Sequence, residues 1–176
     1  MHISLSKWAI LAACLLAPGP TTSSPSINLE DLVRDSDVVL VGKVVAVDKT
    51  SIEDPEAGRA EVARVEVSDI MVGPKKLVGR VVDVLSFPDY SPSITFHRDA
   101  RSFFFLIKCN DYFELARGHR AVATLDADDR VWTDKIASEL PSQRLQTFMK
   151  RIRAAKVRGK NSQATNPDFA PRCSSV

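Results

Sequence analysis

Residues able to act as nucleophiles, bases or metal ligands are sparse in this chain. It holds three histidines and three cysteines. His2 and Cys14 fall in an apolar N-terminal stretch, which leaves His97, His119, Cys109 and Cys173 for the rest. Cys109 with either histidine has the composition of a nucleophile and its base. Yet Cys109 ends the apolar run Phe103-Phe104-Phe105-Leu106-Ile107, where a thiol is buried rather than presented to a substrate. No HExxH, GxSxG or GxGxxG occurs, so zinc-protease, hydrolase-elbow and dinucleotide-turn chemistries have no motif here. Asp126-Ala127-Asp128-Asp129 has the acid density of a calcium loop. It lacks that loop's length, central glycine and closing glutamate, so it reads as an acidic β-turn. No cofactor or metal is expected. The best candidate for a binding surface is the long loop from Pro88 to Arg98, with Asp89, Tyr90, His97 and Arg98, and Arg101 just beyond it. Loops carried on a rigid sheet supply such surfaces.

The first residues look like a targeting segment. Lys7 precedes WAILAACLLA, residues 8–17, and then APGPTTSSPS, residues 17–26. A basic start, a short apolar core and a small-residue exit make a secretory signal peptide. An apolar helix of this size spans about 15 Å, half of a bilayer's hydrocarbon core. A signal peptide over 1–23 with a cut after Ser23 is one reading. Leu11-Ala12-Ala13-Cys14 offers a second, a lipoprotein anchored through Cys14, although the apolar stretch before that cysteine is short. The destination is periplasmic or secreted on the first reading and membrane-anchored on the second. Either way Cys109 and Cys173 remain, and in an oxidising compartment two cysteines without a CxxC can close one disulfide. The bridge would tie an otherwise polar tail, residues 160–176, to a strand end.

The elements that must position these residues are mostly strands. Ile27–Ser36 reads as a short helix, with Ser26 or Asn28 as cap and Leu29, Leu32 and Val33 on one face. Asp37–Lys49 is a β-branched run apolar on both sides, hence a central strand, with Gly42 marking a bulge or curl. Thr50–Arg59 reads as a loop. Ala60–Ile70 alternates as a half-exposed strand, and Gly79–Phe87, Ser102–Cys109, Tyr112–Ala116, Ala121–Leu125 and Arg130–Thr133 follow as further strands. No βαβ alternation occurs. The sequence therefore predicts a mainly β domain over 24–159: a curled, antiparallel, five- to six-stranded OB-like barrel, with a short N-terminal helix and a C-terminal amphipathic helix. Closure would hide the strand edges. Pro141 and Ser142 open the last helix, whose stripe Leu145, Phe148, Met149 and Ile152 should pack on the sheet.

Charge is unevenly placed. The whole chain carries +2, but residues 24–140 hold 15 basic and 21 acidic side chains, while residues 141–176 hold eight basic and one acidic. The basic C-terminal helix therefore either lies on its own acidic sheet or meets an anionic surface. For an exported chain, nucleic acid is not the expected partner.

The strand pattern resembles a known group. Asp35-Ser36-Asp37-Val38-Val39-Leu40-Val41-Gly42-Lys43-Val44, then Ile70-Met71-Val72-Gly73-Pro74, Gly79-Arg80-Val81-Val82-Asp83-Val84 and Phe103-Phe104-Phe105-Leu106 resemble small exported bacterial domains with the OB-like barrel of tissue inhibitors of metalloproteinases and netrin modules. The resemblance covers about residues 27–133. Inhibitors of that group bind the target's zinc through an N-terminal Cys-x-Cys, and none occurs here, so only a binding role is implied. The expectation is a non-enzymatic secreted or cell-envelope binding protein, its partner a protein or another envelope component. The alternative is an enzyme, a hydrolase by preference, with a site scattered beyond motif recognition. A buried His97 or His119 beside a carboxylate in a cleft would favour the enzyme.

Overall fold

The computed structural model describes residues 27–54, 58–87, 95–133, 136, 139–161 and 173. The segment assigned to a signal peptide or to a lipidated Cys14 lies outside the described residues. Helix α1 spans Leu29–Arg34, and Asn28 caps it, its side chain accepting from the Asp31 N–H at 2.7 Å. Glu30 and Asp31 occupy the first turn, where the helix dipole favours acids. Leu29, Leu32 and Val33 are buried.

Eight strands follow: β1 Val38–Asp54, β2 Gly58–Val72, β3 Val81–Ser86, β4 Arg101–Cys109, β5 Tyr112–Leu115, β6 Val122–Leu125, β7 Arg130–Trp132 and β8 Ser142–Arg144. Helix α2, Leu145–Asn161, is the last regular element among the described residues. The residues read as a loop over 50–59 instead prolong β1 and β2 into one long hairpin. Cross-strand pairing carries β1 to Asp54 and starts β2 at Gly58, with Glu53 opposite Arg59 and Asp54 opposite Gly58.

These strands form one mixed sheet in the order β1-β2-β3-β5-β4-β6-β7-β8, with a further pairing of β1 with β4. This corrects the five- to six-stranded OB-like barrel. There are more strands than that, β3 and β5 run parallel, and the sheet continues past β4 to end on β8, which has a single neighbour. The fold is mainly β with an N-terminal and a C-terminal helix, and it gives no support to membership of the metalloproteinase-inhibitor and netrin group. Barrel closure was expected as the way to hide edges. Here the terminal strand is three residues long and runs directly into α2, and a short edge limits unwanted pairing in another way.

Two apolar clusters occupy the two faces of the sheet. Val39 and Val41 of β1, Phe103 and Phe105 of β4, Ala123 and Leu125 of β6 and Val131 of β7 join α1 and the α2 residues Phe148, Ile152 and Ala155. On the other face Val38, Leu40, Val65, Ile70, Val84, Phe104 and Leu106 pack together, and among the described residues neither α1 nor α2 contributes to this cluster. The alternation of β1 and β4 between two cores is what their uninterrupted apolar runs require. Gly42 lies where the β1–β2 register shifts. A Cβ there would stand 2.4 Å from Val65 Cγ1 and 2.8 Å from the Glu66 carbonyl oxygen. Only glycine permits that approach.

Candidate functional site

The loop residues singled out in the sequence are only partly brought together. Asp89 and Tyr90 lie outside the described residues, as does the side chain of His119. His97, Arg98 and Arg101 are all exposed. Their segment is a tight turn against β1: Asp99 N–H donates to the Val44 carbonyl at 2.8 Å, Val44 N–H to Ala100 at 3.0 Å, and Ala100 N–H to His97 at 3.1 Å. Asp99 adopts φ 67°, a left-handed conformation that aspartate tolerates better than most residues.

Lys43 and Arg101 sit directly opposite each other on β1 and β4. Such like-charged neighbours repel, and each has an acid to offset this. Lys43 pairs with Asp99 at 2.6 Å and Arg101 with Asp129 at 3.6 Å. The Lys43 hydrogen bond, followed by its charge, holds the Asp99 carboxyl below its ordinary range. This rim is thus a set of exposed ion pairs.

Asp129 belongs to the acidic turn. Asp126 Oδ1 accepts from the backbone N–H groups of Asp128 at 3.0 Å and Arg130 at 2.9 Å, and its Oδ2 accepts from Trp132 Nε1 at 3.0 Å. The Arg130 N–H, then the indole N–H, keep the Asp126 carboxyl below the usual aspartate range. The turn uses its carboxylate to bind itself, as an acidic β-turn should. Among the described residues no group of three or more His, Cys, Asp or Glu side chains could hold a metal ion.

The expected disulfide is present. Cys109 and Cys173 are bonded, with their Cα atoms 5.7 Å apart. The bridge joins the end of β4, where Cys109 is buried, to the C-terminal tail. Neither sulfur is then free to act as a nucleophile.

Helix α2 carries the apolar stripe inward. Phe148 and Ile152 are fully buried, and Leu145 and Met149 pack partly buried against the same core. The Phe148 ring meets Phe103 edge to face with centroids 4.9 Å apart, and Phe105 at 6.5 Å. Two of the helix's cations are neutralised within the molecule. Arg151 pairs with Glu139 at 2.7 Å, and Arg158 with Glu30 of α1 at 3.1 Å. The Glu139 side chain has 0% exposure and also accepts from Gln143 at 2.6 Å. Lys150 and Arg153 are exposed.

Two polar features had no motif to announce them. Asp35, at the end of α1, is ion-paired with Arg117 of the turn after β5, a contact between residues far apart in sequence. Trp132, at 47% exposure, lies between Thr124 and Ser142 across the strands, with the exposed Arg130 and Arg144 paired in the next row. The β-strand alternation around Val131 was the available sign that its flanking residues point outward. Among the described residues no helix is long and apolar enough to cross a membrane. No protein-family model and no curated protein matches the chain.

Proposed function

We propose that this is an exported, non-catalytic binding protein of the cell envelope that meets an anionic membrane surface through the outer face of α2. The observation that carries this reading is the division of labour on that helix. Its apolar stripe is already satisfied by the core, so the exposed cations Lys150 and Arg153 are not needed to place it. The excess positive charge of residues 141–176 in the sequence supports attraction to anionic lipid headgroups. The Cys109–Cys173 bridge suits an oxidising compartment, and the N-terminal pattern suits export. Mature protein beginning after Ser23, or lipidated on Cys14, is accepted on this reading.

Co-sedimentation with vesicles tests it. The protein should bind phosphatidylglycerol vesicles but not phosphatidylcholine vesicles, with affinity falling as salt rises. The double variant Lys150→Gln/Arg153→Gln should bind markedly less while melting at the same temperature. Equal binding to both vesicle types, or none to either, rejects the proposal.

A further inference from the structure

The sheet past β4 has one face against α2 and one face open. Ala123, Leu125 and Val131 point into the core that holds Phe148. By the two-residue alternation of strands, their neighbours point the other way. Thr124, Trp132 and Ser142 stand in one row across β6, β7 and β8, and Arg130 faces Arg144 in the next. Thr124, Arg130, Trp132 and Arg144 are exposed.

This face is organised beyond what folding asks of it. The indole is fixed by its edge, Nε1 donating to Asp126 at 3.0 Å, so its ring is held in place. Arg130 is likewise held, Nη2 donating to Ser142 Oγ at 2.7 Å. Two arginines that are register partners on adjacent strands repel, an arrangement that costs stability when no acid offsets it. At the rim the equivalent pair, Lys43 and Arg101, has an acid for each cation. Here Asp126 stands near Arg130 and lowers its own proton affinity partly through that charge. The exposed Arg144 side chain makes no ion pair or side-chain hydrogen bond to another described residue.

We propose that the open face of β6–β8 binds an acidic saccharide. A pyranose ring lies on the exposed indole of Trp132, and its carboxylate sits between Arg130 and Arg144. The aromatic surface offers a flat apolar contact for the C–H face of a sugar. The planar guanidiniums offer the paired donors that a carboxylate accepts. Arg130 and Trp132 are two residues apart on one strand, about 7 Å, a spacing that lets one sugar unit reach both. This site lies on the opposite side of the strands from α2 and stands independently of the membrane contact proposed above.

Isothermal titration of the full chain with trigalacturonate tests it, with maltotriose as the neutral saccharide and a short polyglutamate peptide as the non-saccharide acid. Trigalacturonate should bind saturably, and maltotriose and the peptide at least about tenfold more weakly. Arg144→Gln should weaken trigalacturonate binding by about tenfold or more, the share of one charged hydrogen bond. Trp132→Ala should do so while also weakening whatever binding maltotriose retains. Both positions are exposed, and an unchanged melting temperature confirms that each variant is folded. The inference is overturned if trigalacturonate does not bind, if maltotriose or polyglutamate binds equally well, or if folded Arg144→Gln binds as the parent does.

Discussion

Replacing Phe148 by Ala removes the side chain on which the docking of α2 turns. Phe148 has 0% exposure and lies between α2 and the sheet, edge to face with Phe103 at 4.9 Å. Returning a buried side chain of this class to water costs about 1.5–3 kcal/mol. The lost ring contact adds about 0.5–1.5 kcal/mol, and the cavity brings the total to about 3–5 kcal/mol. Part of that would be recovered if Met149 and Leu145, both only partly buried, moved into the space. Urea titration followed by far-UV circular dichroism measures the change, and a lower midpoint at constant slope marks a loss of stability rather than of cooperativity. By contrast, Lys150→Gln/Arg153→Gln should stay within about 0.5 kcal/mol, as exposed positions generally do. Arg151 differs from these neighbours because its partner Glu139 is buried, and Arg151→Gln should cost about 1–3 kcal/mol. A loss below about 1 kcal/mol for Phe148→Ala would refute the packing argument, since no fully buried phenylalanine in a close-packed core is that dispensable.

Three further outcomes follow from particular contacts. Gly42→Ala should destabilise by about 1–3 kcal/mol, because the Glu66 carbonyl 2.8 Å from the new Cβ is backbone and cannot swing away; an unchanged urea midpoint would contradict this. Cys173→Ser should cost about 2–4 kcal/mol by releasing a long loop in the unfolded chain, and the parent should show no thiol reacting from Cys109 or Cys173 in denaturant without reductant. In the full chain with Trp8→Phe, Trp132 is the remaining tryptophan and its fluorescence reports on Asp126. The folded-state carboxyl is depressed below the ordinary value of 3.8, so its contribution is complete above that value and lost as pH falls through the lower one. The fluorescence change should therefore have a midpoint below 3.8, and a midpoint at or above it would show that the indole bond does not favour the ionised acid.

What could be read from the sequence was what is encoded locally. The cap and buried face of α1, the bulge at Gly42, the central position of β1 and the inward stripe of α2 each depend on residues within a turn or two of one another. The disulfide was legible for a different reason, since the two cysteines beyond the apolar N-terminal stretch, Cys109 and Cys173, admit a single internal pairing. The sheet was not legible in the same way. The parallel contact of β3 with β5 joins Val84 and Leu85 to Phe113 and Glu114, and nothing near either pair records it. Ser142–Arg144 has the composition of a helix start and becomes a strand because β7 offers it a partner. The short β7 was anticipated as Arg130–Thr133, whereas β8 was not, and the expected barrel failed on a mixed sheet that runs on to β8.

The same distinction explains why the binding surfaces were hard to find. Asp89, Tyr90, His97, Arg98 and Arg101 were grouped because they are near in sequence, and of these the exposed Arg101 is engaged with Asp129 from another strand pair. The cations of α2 look equivalent along the chain, yet Arg151 and Arg158 are committed to acids from distant segments while Lys150 and Arg153 face solvent. Arg130 and Arg144 are fourteen positions apart and become neighbours only through the β7–β8 register. A charge matters to a partner when the fold has not already neutralised it, and that depends on tertiary contacts. Composition located the positive end of this molecule, and the sheet decides which of its cations remain to be used.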